Sequence, residues 1–107
     1  MIHLVARRIR PDRRELVRTW LQEVDGARRA EALESIAAEG IDHETALLID
    51  TSDGPILVYA MQTDDLPQAQ AIAGESPRSI DAEHRAVMRS VDDGPVTSET
   101  LLDLRRQ

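Results

Sequence analysis

The chain has 107 residues, 41% of them hydrophobic, which is enough to fold around a single modest core. It contains no cysteine, which excludes disulfides, thiolate nucleophiles, iron–sulfur clusters and zinc–thiolate sites. The net charge of −7 argues against a nucleic-acid partner, and without a signal-peptide pattern or an apolar stretch long enough to cross a bilayer a cytoplasmic location is expected.

The first predicted element is a strand over residues 2–9, whose apolar side chains point to both faces. Pro11 ends this strand because proline has no backbone N–H to donate to a sheet. A long amphipathic helix follows, with Asp12 as its N-cap in a capping box and Gly40 at its C-terminus. Gly26 is expected to kink or interrupt this helix, since glycine costs about 1 kcal/mol relative to alanine inside a helix.

A β-hairpin over residues 42–62 is the clearest pattern in the chain. Asp53 and Gly54 stand between two apolar runs, and Asp-Gly is a strong hairpin signal because glycine accepts a positive φ. The second strand is apolar at both parities, with Leu57, Tyr59 and Met61 on one face and Ile56, Val58 and Ala60 on the other. A strand of this kind is covered on both faces.

The remaining pattern predicts two helices and a final strand. Asp64 or Asp65 caps a short second helix, and Ser79 caps a third helix. A last strand is predicted over residues 96–104, followed by a frayed tail at residues 105–107.

This order of elements predicts a single ferredoxin-like α+β domain over residues 1–107. The fold is βαββαβ with a four-stranded antiparallel sheet and an extra short helix before the last strand. The helices cover only one side of such a sheet, and the other side would expose a large aliphatic surface. The sequence therefore predicts a homodimer formed through the open face of the sheet, related by a two-fold axis.

Several stretches carry a resemblance to a known family. They are Arg-Ile-Arg-Pro after the first strand, Glu39-Gly40, Val58-Tyr59-Ala60-Met61 and the Ser-Ile-Asp-Ala-Glu-His-Arg stretch that begins at Ser79. Together they resemble a small uncharacterised prokaryotic family that is similar to dimeric α+β-barrel proteins. That superfamily includes cofactor-independent monooxygenases, sugar mutarotases, haem-degrading enzymes and stress-responsive proteins. The resemblance implies a dimeric α+β barrel and leaves the chemistry open, because one fold hosts many functions.

Four residues are candidates for a functional site. His84 lies on the apolar stripe of the third helix, where a histidine can act as a general acid or base near neutral pH. Tyr59 needs a partner for its hydroxyl and can line a cavity together with Met61 and Glu44. The alternative for His84 and Tyr59 is a packing role, each satisfied by one hydrogen bond. Asp81 and Arg85, four positions apart, are expected to pair on the helix surface.

Two functions are consistent with these residues. The first is binding of a small molecule in a pocket between sheet and helices, extending to a cofactor-independent enzyme in which His84 transfers a proton. The alternative is a non-catalytic dimeric structural or stress-response module. No cofactor or metal is expected, because the three histidines follow no metal-binding spacing; a site built from His3, Glu44 and His84 is the one arrangement left open. The central strands also lack the aromatic residues on which RNA bases stack.

Overall fold

The computed structural model describes residues 1–106, which form an α+β domain with one sheet. The strands are β1 (Ile2–Ile9), β2 (Ile41–Thr51), β3 (Gly54–Thr63) and β4 (Asp92–Val96). The helices are α1 (Arg14–Asp25), α2 (Arg29–Glu39), α3 (Leu66–Glu75) and α4 (Ser79–Val91), with a 3₁₀ turn (Pro11–Arg13) before α1. Residues 97–106 form no helix or strand, and Gln107, part of the predicted tail, lies outside the described residues. The predicted α+β class with four antiparallel strands is confirmed.

The four strands pair antiparallel in the order β2-β3-β1-β4. The hairpin between β2 and β3 is confirmed: Thr51 pairs with Gly54, which has a φ of 112°. The Thr51 hydroxyl oxygen accepts a hydrogen bond from the backbone N–H of Asp53 at 3.2 Å. This side chain holds the tight turn closed, and the turn sets the register of the two longest strands.

The long helix predicted after β1 is two helices, α1 and α2, separated at Gly26. The predicted capping box is wrong, because Asp12 lies in the 3₁₀ turn and its carboxylate is 3.6 Å from Arg10. The residue at the N-cap of α1 is Arg13, which makes no side-chain capping bond. Gly40 ends α2 with a φ of 75°, as predicted for a left-handed C-terminal residue.

Two glycines should respond oppositely to replacement by alanine. Gly40→Ala places a side chain at positive φ and is expected to lower the free energy of unfolding by about 1 to 2 kcal/mol. Gly74→Ala, inside α3 at an ordinary φ and with open space around the added carbon, is expected to raise it by about 0.5 to 1 kcal/mol. Urea unfolding of both variants measures the difference, and two changes of the same sign would contradict this assignment.

The N-cap of α3 is one of the two residues predicted, whereas the N-cap of α4 is not the predicted residue. Asp65 caps α3, since its carboxylate accepts a hydrogen bond from the backbone N–H of Gln68 at 3.0 Å. Ser79 is instead the first residue of α4, and Arg78 occupies the N-cap without a side-chain bond.

The last strand lies earlier than the predicted residues 96–104. β4 starts directly after α4, and Pro95 is tolerated because β4 is an edge strand with one unpaired side. Arg7 of β1 donates two hydrogen bonds of 2.6 Å to the carboxylate of Asp92. This ion pair fastens the first residue of β4 to the neighbouring strand.

Two clusters of buried apolar side chains hold the helices on one face of the sheet. The first consists of Ile9, Val17, Leu57 and Val91. The second consists of Ile41, Met61 and Ala69. Tyr59 packs against both clusters and therefore lies between them. None of the helices in the described part of the chain is both long enough and apolar enough to span a bilayer.

The opposite face of the sheet carries no helix. Leu4 of β1 is 53% exposed and Leu47 of β2 is 51% exposed, whereas Leu57 on the covered face of β3 is fully buried. The register places Leu4 opposite Ala60 and Leu47 opposite Val58, so these apolar side chains share one face. The side chains of β3 alternate between the covered and the open face of the sheet as predicted. The sequence also predicted a cover on both faces, but in the single chain the open face is exposed to solvent.

Candidate functional site

A cavity of about 1000 Å³, partly open to solvent, lies between the sheet and the helices. This volume is at the upper end of the range for small-molecule pockets. Side chains from β1, β2, β3 and all four helices line it. The four residues singled out in the sequence, Glu44, Tyr59, Met61 and His84, all line this one cavity. Their roles in binding or catalysis stay predictions.

His84 connects two aromatic side chains by hydrogen bonds. The indole Nε1–H of Trp20 donates to His84 Nδ1 at 2.9 Å, and His84 Nε2 lies 3.2 Å from the Tyr59 hydroxyl. The Tyr59 ring meets the imidazole edge-on, with ring centroids 5.9 Å apart. Burial lowers the pKa of His84, with Asp81 opposing that shift, so the imidazole is neutral at neutral pH.

Trp20 is connected to the site through His84, a link that the sequence analysis did not predict. It is buried on α1, and the Arg28 guanidinium lies 5.7 Å from its ring centroid. Arg28 is held there by Glu31 at 2.7 Å and by Glu83. A buried indole N–H needs an acceptor, and that requirement is the signal in the sequence that could have tied Trp20 to a polar partner.

Asp81 faces the interior of the domain and does not form the predicted pair with Arg85. Its carboxylate accepts hydrogen bonds of 2.5 Å from the hydroxyls of Ser35 on α2 and Ser76. Arg85 donates instead to the backbone carbonyls of Ala73 and Ser76, which lie at the C-terminal end of α3. Helix packing overrides the local pairing, because both side chains find partners on neighbouring segments.

Glu39, the last residue of α2, adds a second carboxyl group to the cavity wall. Burial and the neighbouring charges of Glu44 and Asp81 raise the pKa of Glu39 to about 7, while the contact with Ser35 opposes the shift. The Ser35 hydroxyl has one hydrogen, and its 2.5 Å contact to Asp81 takes it. The contact of the Ser35 hydroxyl with the Glu39 carboxyl, at 3.2 Å, is the longer and weaker of the two.

Glu44 stands on β2 at the open edge of the cavity. The surrounding protein and the charge of Asp81 raise the pKa of Glu44. Burial and the charge of Glu44 in turn raise the pKa of Tyr59 above its ordinary value, so its hydroxyl keeps its proton. Among residues 1–106, no ion pair is formed by Glu39, Glu44 or Asp81.

The arginines on the outer part of the cavity do not neutralise this negative charge. Arg14 donates to Asp50 at 2.8 Å, and Arg29 donates to Asp25 at 2.6 Å. Arg18 lies 3.8 Å from Glu15, so among the described residues none of the three arginines that line the cavity forms an ion pair with Glu39, Glu44 or Asp81.

A metal centre does not assemble from the residues that the structure describes. Among them there is no group of three or more histidine, aspartate and glutamate side chains that could hold a metal ion. His3 is not one of the side chains that line the cavity, so the arrangement of His3, Glu44 and His84 does not form.

The cavity therefore offers three chemical features. The Tyr59 hydroxyl is a neutral hydrogen-bond donor or acceptor at the junction of two apolar clusters. Glu39, with its pKa near 7, can take up or release a proton around neutral pH. Apolar walls that include Val5, Ile36, Met61 and Leu66 offer a surface for hydrocarbon.

Comparison with known proteins gives a family without an assigned activity. A family of unknown function (DUF6176) matches residues 1–107 of the chain. No curated protein and no solved structure matches the chain.

Proposed function

The chain belongs to a family of unknown function, DUF6176, and we propose that it binds a small organic molecule in the cavity between its sheet and its helices. The observation that carries this proposal is the cavity of about 1000 Å³ lined by Tyr59, Met61, Glu44 and His84. Most of its wall is apolar, and a few polar groups converge on it, which is the usual composition of a ligand site.

We further propose that the fold is ferredoxin-like and that two copies associate into a dimeric α+β barrel. The strand order β2-β3-β1-β4, with β1 and β3 central, supports the first part because it is the order of the split βαβ arrangement. The uncovered apolar face supports the second part. Four strands about 4.8 Å apart and about 8 residues long span roughly 500 Å² of sheet, a size at which the exposed apolar patches of soluble proteins are often interaction sites.

A second copy of the chain is the binding partner that best fits the open face of the sheet. The exposed side chains include Ile2, Leu4, Leu47 and Ile49. Arg8 is the charged residue that β1 contributes to this face, so little charge has to be desolvated on contact. An isologous contact lets the same apolar patch cover itself, and the patch would supply more than half of the roughly 800 Å² per partner of a standard interface.

His84 takes a supporting part in this proposal. Its two ring nitrogens are engaged by Trp20 and Tyr59. A proton transferred to a bound molecule would pass through the Tyr59 hydroxyl, because that group stands between His84 Nε2 and the ligand in this arrangement. Direct transfer by His84 stays a prediction from the sequence.

A thermal-shift screen with a library of small uncharged and charged metabolites tests the binding function. A ligand at ten times its Kd stabilises the native state by about 1.4 kcal/mol, which raises Tm by roughly 5 °C for a domain of this size. Ala46→Trp is the informative variant, because Ala46 is exposed within the cavity and pairs with Tyr59 across the hairpin. The added indole projects into the cavity beside Tyr59 and takes the space next to its hydroxyl, so ligands bound there should no longer raise Tm.

Ala71→Trp is the matched control, since Ala71 is exposed on α3 outside the cavity. Hits should raise the Tm of this variant as in the wild type. A Tm shift that persists in Ala46→Trp would place the ligand elsewhere and contradict the proposal. A library without hits, together with an intact dimer, would support the non-catalytic dimeric module instead.

A further inference from the structure

The directions of the hydrogen bonds around His84 follow from the chemistry of the three groups. An indole N–H can only donate, so Nδ1 of His84, 2.9 Å from Trp20 Nε1, is an unprotonated acceptor. A neutral imidazole with a bare Nδ1 carries its hydrogen on Nε2. The Nε2–H therefore donates to the Tyr59 oxygen, 3.2 Å away. Trp20 fixes the tautomer, and the tautomer fixes the direction of the bond to Tyr59.

This direction leaves the hydroxyl hydrogen of Tyr59 available. The oxygen already accepts from His84, so its own hydrogen has to point to a different group. Within residues 1–106, His84 is the one side chain or backbone group in hydrogen-bond contact with this hydroxyl. Tyr59 lines the cavity, and its hydrogen is therefore presented to whatever molecule occupies it.

The charge of the cavity limits what that molecule can be. Glu44 and Asp81 line the same space as Tyr59, and no arginine that lines it pairs with either of them in the described part of the chain. A carboxylate, phosphate or enolate group on a ligand in this space would be repelled by these carboxylates. A hydrogen-bond acceptor without negative charge is accordingly favoured at Tyr59.

We propose that the ligand is an uncharged carbonyl compound with an apolar skeleton, whose oxygen accepts a hydrogen bond from the Tyr59 hydroxyl. The apolar skeleton packs against the side chains of Val5, Ile36, Met61 and Leu66. Trp20 and His84 are positioning residues, because they act on the ligand only through the orientation of Tyr59. This assignment of ligand class rests on the proposed binding function and goes further by naming the group that is recognised.

Four probes of the same shape separate the possible ligand classes. They are acetophenone as the ketone, ethylbenzene as the hydrocarbon, benzoate as the anion and benzylamine as the cation. Binding at pH 7 is measured by chemical-shift changes in the NMR spectrum of the full chain. Acetophenone is expected to bind most tightly and benzoate most weakly. In Tyr59→Phe, the affinity for acetophenone relative to ethylbenzene should fall about fivefold or more, because one net hydrogen bond is lost.

The outcomes test the carbonyl assignment separately from the proposed binding function on which it rests. Tighter binding of benzylamine or benzoate than of acetophenone overturns the carbonyl assignment and leaves the cavity as a binding site. An unchanged ratio of acetophenone to ethylbenzene in Tyr59→Phe has the same consequence. If none of the four probes shifts the resonances of cavity residues, the binding function itself is overturned for molecules of this size.

The tautomer of His84 gives a second readout that needs no ligand. Imidazole ¹⁵N shifts at pH 7 should show a bare Nδ1 and a protonated Nε2 in the wild type. Trp20→Phe removes the donor that enforces this tautomer, so the spectrum should shift toward a mixture of the two neutral forms. A wild-type spectrum with the hydrogen on Nδ1 would overturn the proposed direction of the hydrogen bonds from Trp20 to His84 and from His84 to Tyr59.

Discussion

Replacing Leu4 by arginine is expected to abolish the proposed dimer and leave the protein monomeric at micromolar concentration. Leu4 lies at the centre of the open face on β1 and is 53% exposed in the single chain, so the variant can fold. In an isologous contact each substitution occurs twice, and two guanidiniums would be buried against apolar side chains. We expect the dissociation constant of the dimer to rise by at least about 100-fold, as for two poorly compensated buried charges.

Sedimentation equilibrium or light scattering measures the association state, and Leu16→Arg is the matched control. Leu16 is 41% exposed on α1, on the side of the molecule opposite the open face, so its replacement should leave the dimer intact. The Tm of the wild type should also rise with protein concentration, which the Leu4→Arg variant should not show. A monomeric wild type, or equal behaviour of the two variants, would remove the dimer from the proposed function.

The parts of the fold that the sequence predicts are those set by neighbouring residues. The hairpin follows from Asp53-Gly54 between apolar runs, and the two faces of β3 follow from the alternation of its side chains. The position of β4 could not be predicted in this way. It depends on pairing with β1 and on the bond from Arg7 to Asp92, two residues 85 positions apart.

The same distinction between neighbouring and distant residues applies to the candidate site. His84 and Tyr59 could be selected because each is a polar group on an apolar face of a single element. Their partners could not, since Trp20 and His84 are 64 positions apart and Ser35 and Asp81 are 46 apart. Asp81 also illustrates why local rules fail here: an i,i+4 ion pair contributes only about 0.5 kcal/mol, less than two short hydrogen bonds to a carboxylate.

Glu39→Gln is expected to remove a pH dependence of stability between pH 4.5 and pH 7. The pKa of Glu39 rises from 4.5 to about 7 on folding, so in this window the native state keeps a proton that the unfolded chain has released. This group therefore stabilises the fold most at low pH, and its contribution is lost as the pH rises through 7. The full shift corresponds to about 3 kcal/mol, and because Glu39 is only half-buried we expect about 2 kcal/mol.

Urea unfolding of the variant and the wild type at several pH values between 4.5 and 8.5 gives the difference. The two should be similarly stable at pH 4.5, and Glu39→Gln should be the more stable protein by about 2 kcal/mol at pH 8.5. Taking the difference cancels the titration of groups such as Asp92, whose pKa is lowered and whose contribution is lost only in acid. Glu34→Gln, an exposed carboxylate on the same helix, should run parallel to the wild type. A difference between Glu39→Gln and wild type that does not change with pH would mean that neither burial nor the neighbouring charges of Glu44 and Asp81 raise the pKa of Glu39. The negative field that the carbonyl assignment relies on would then have no support.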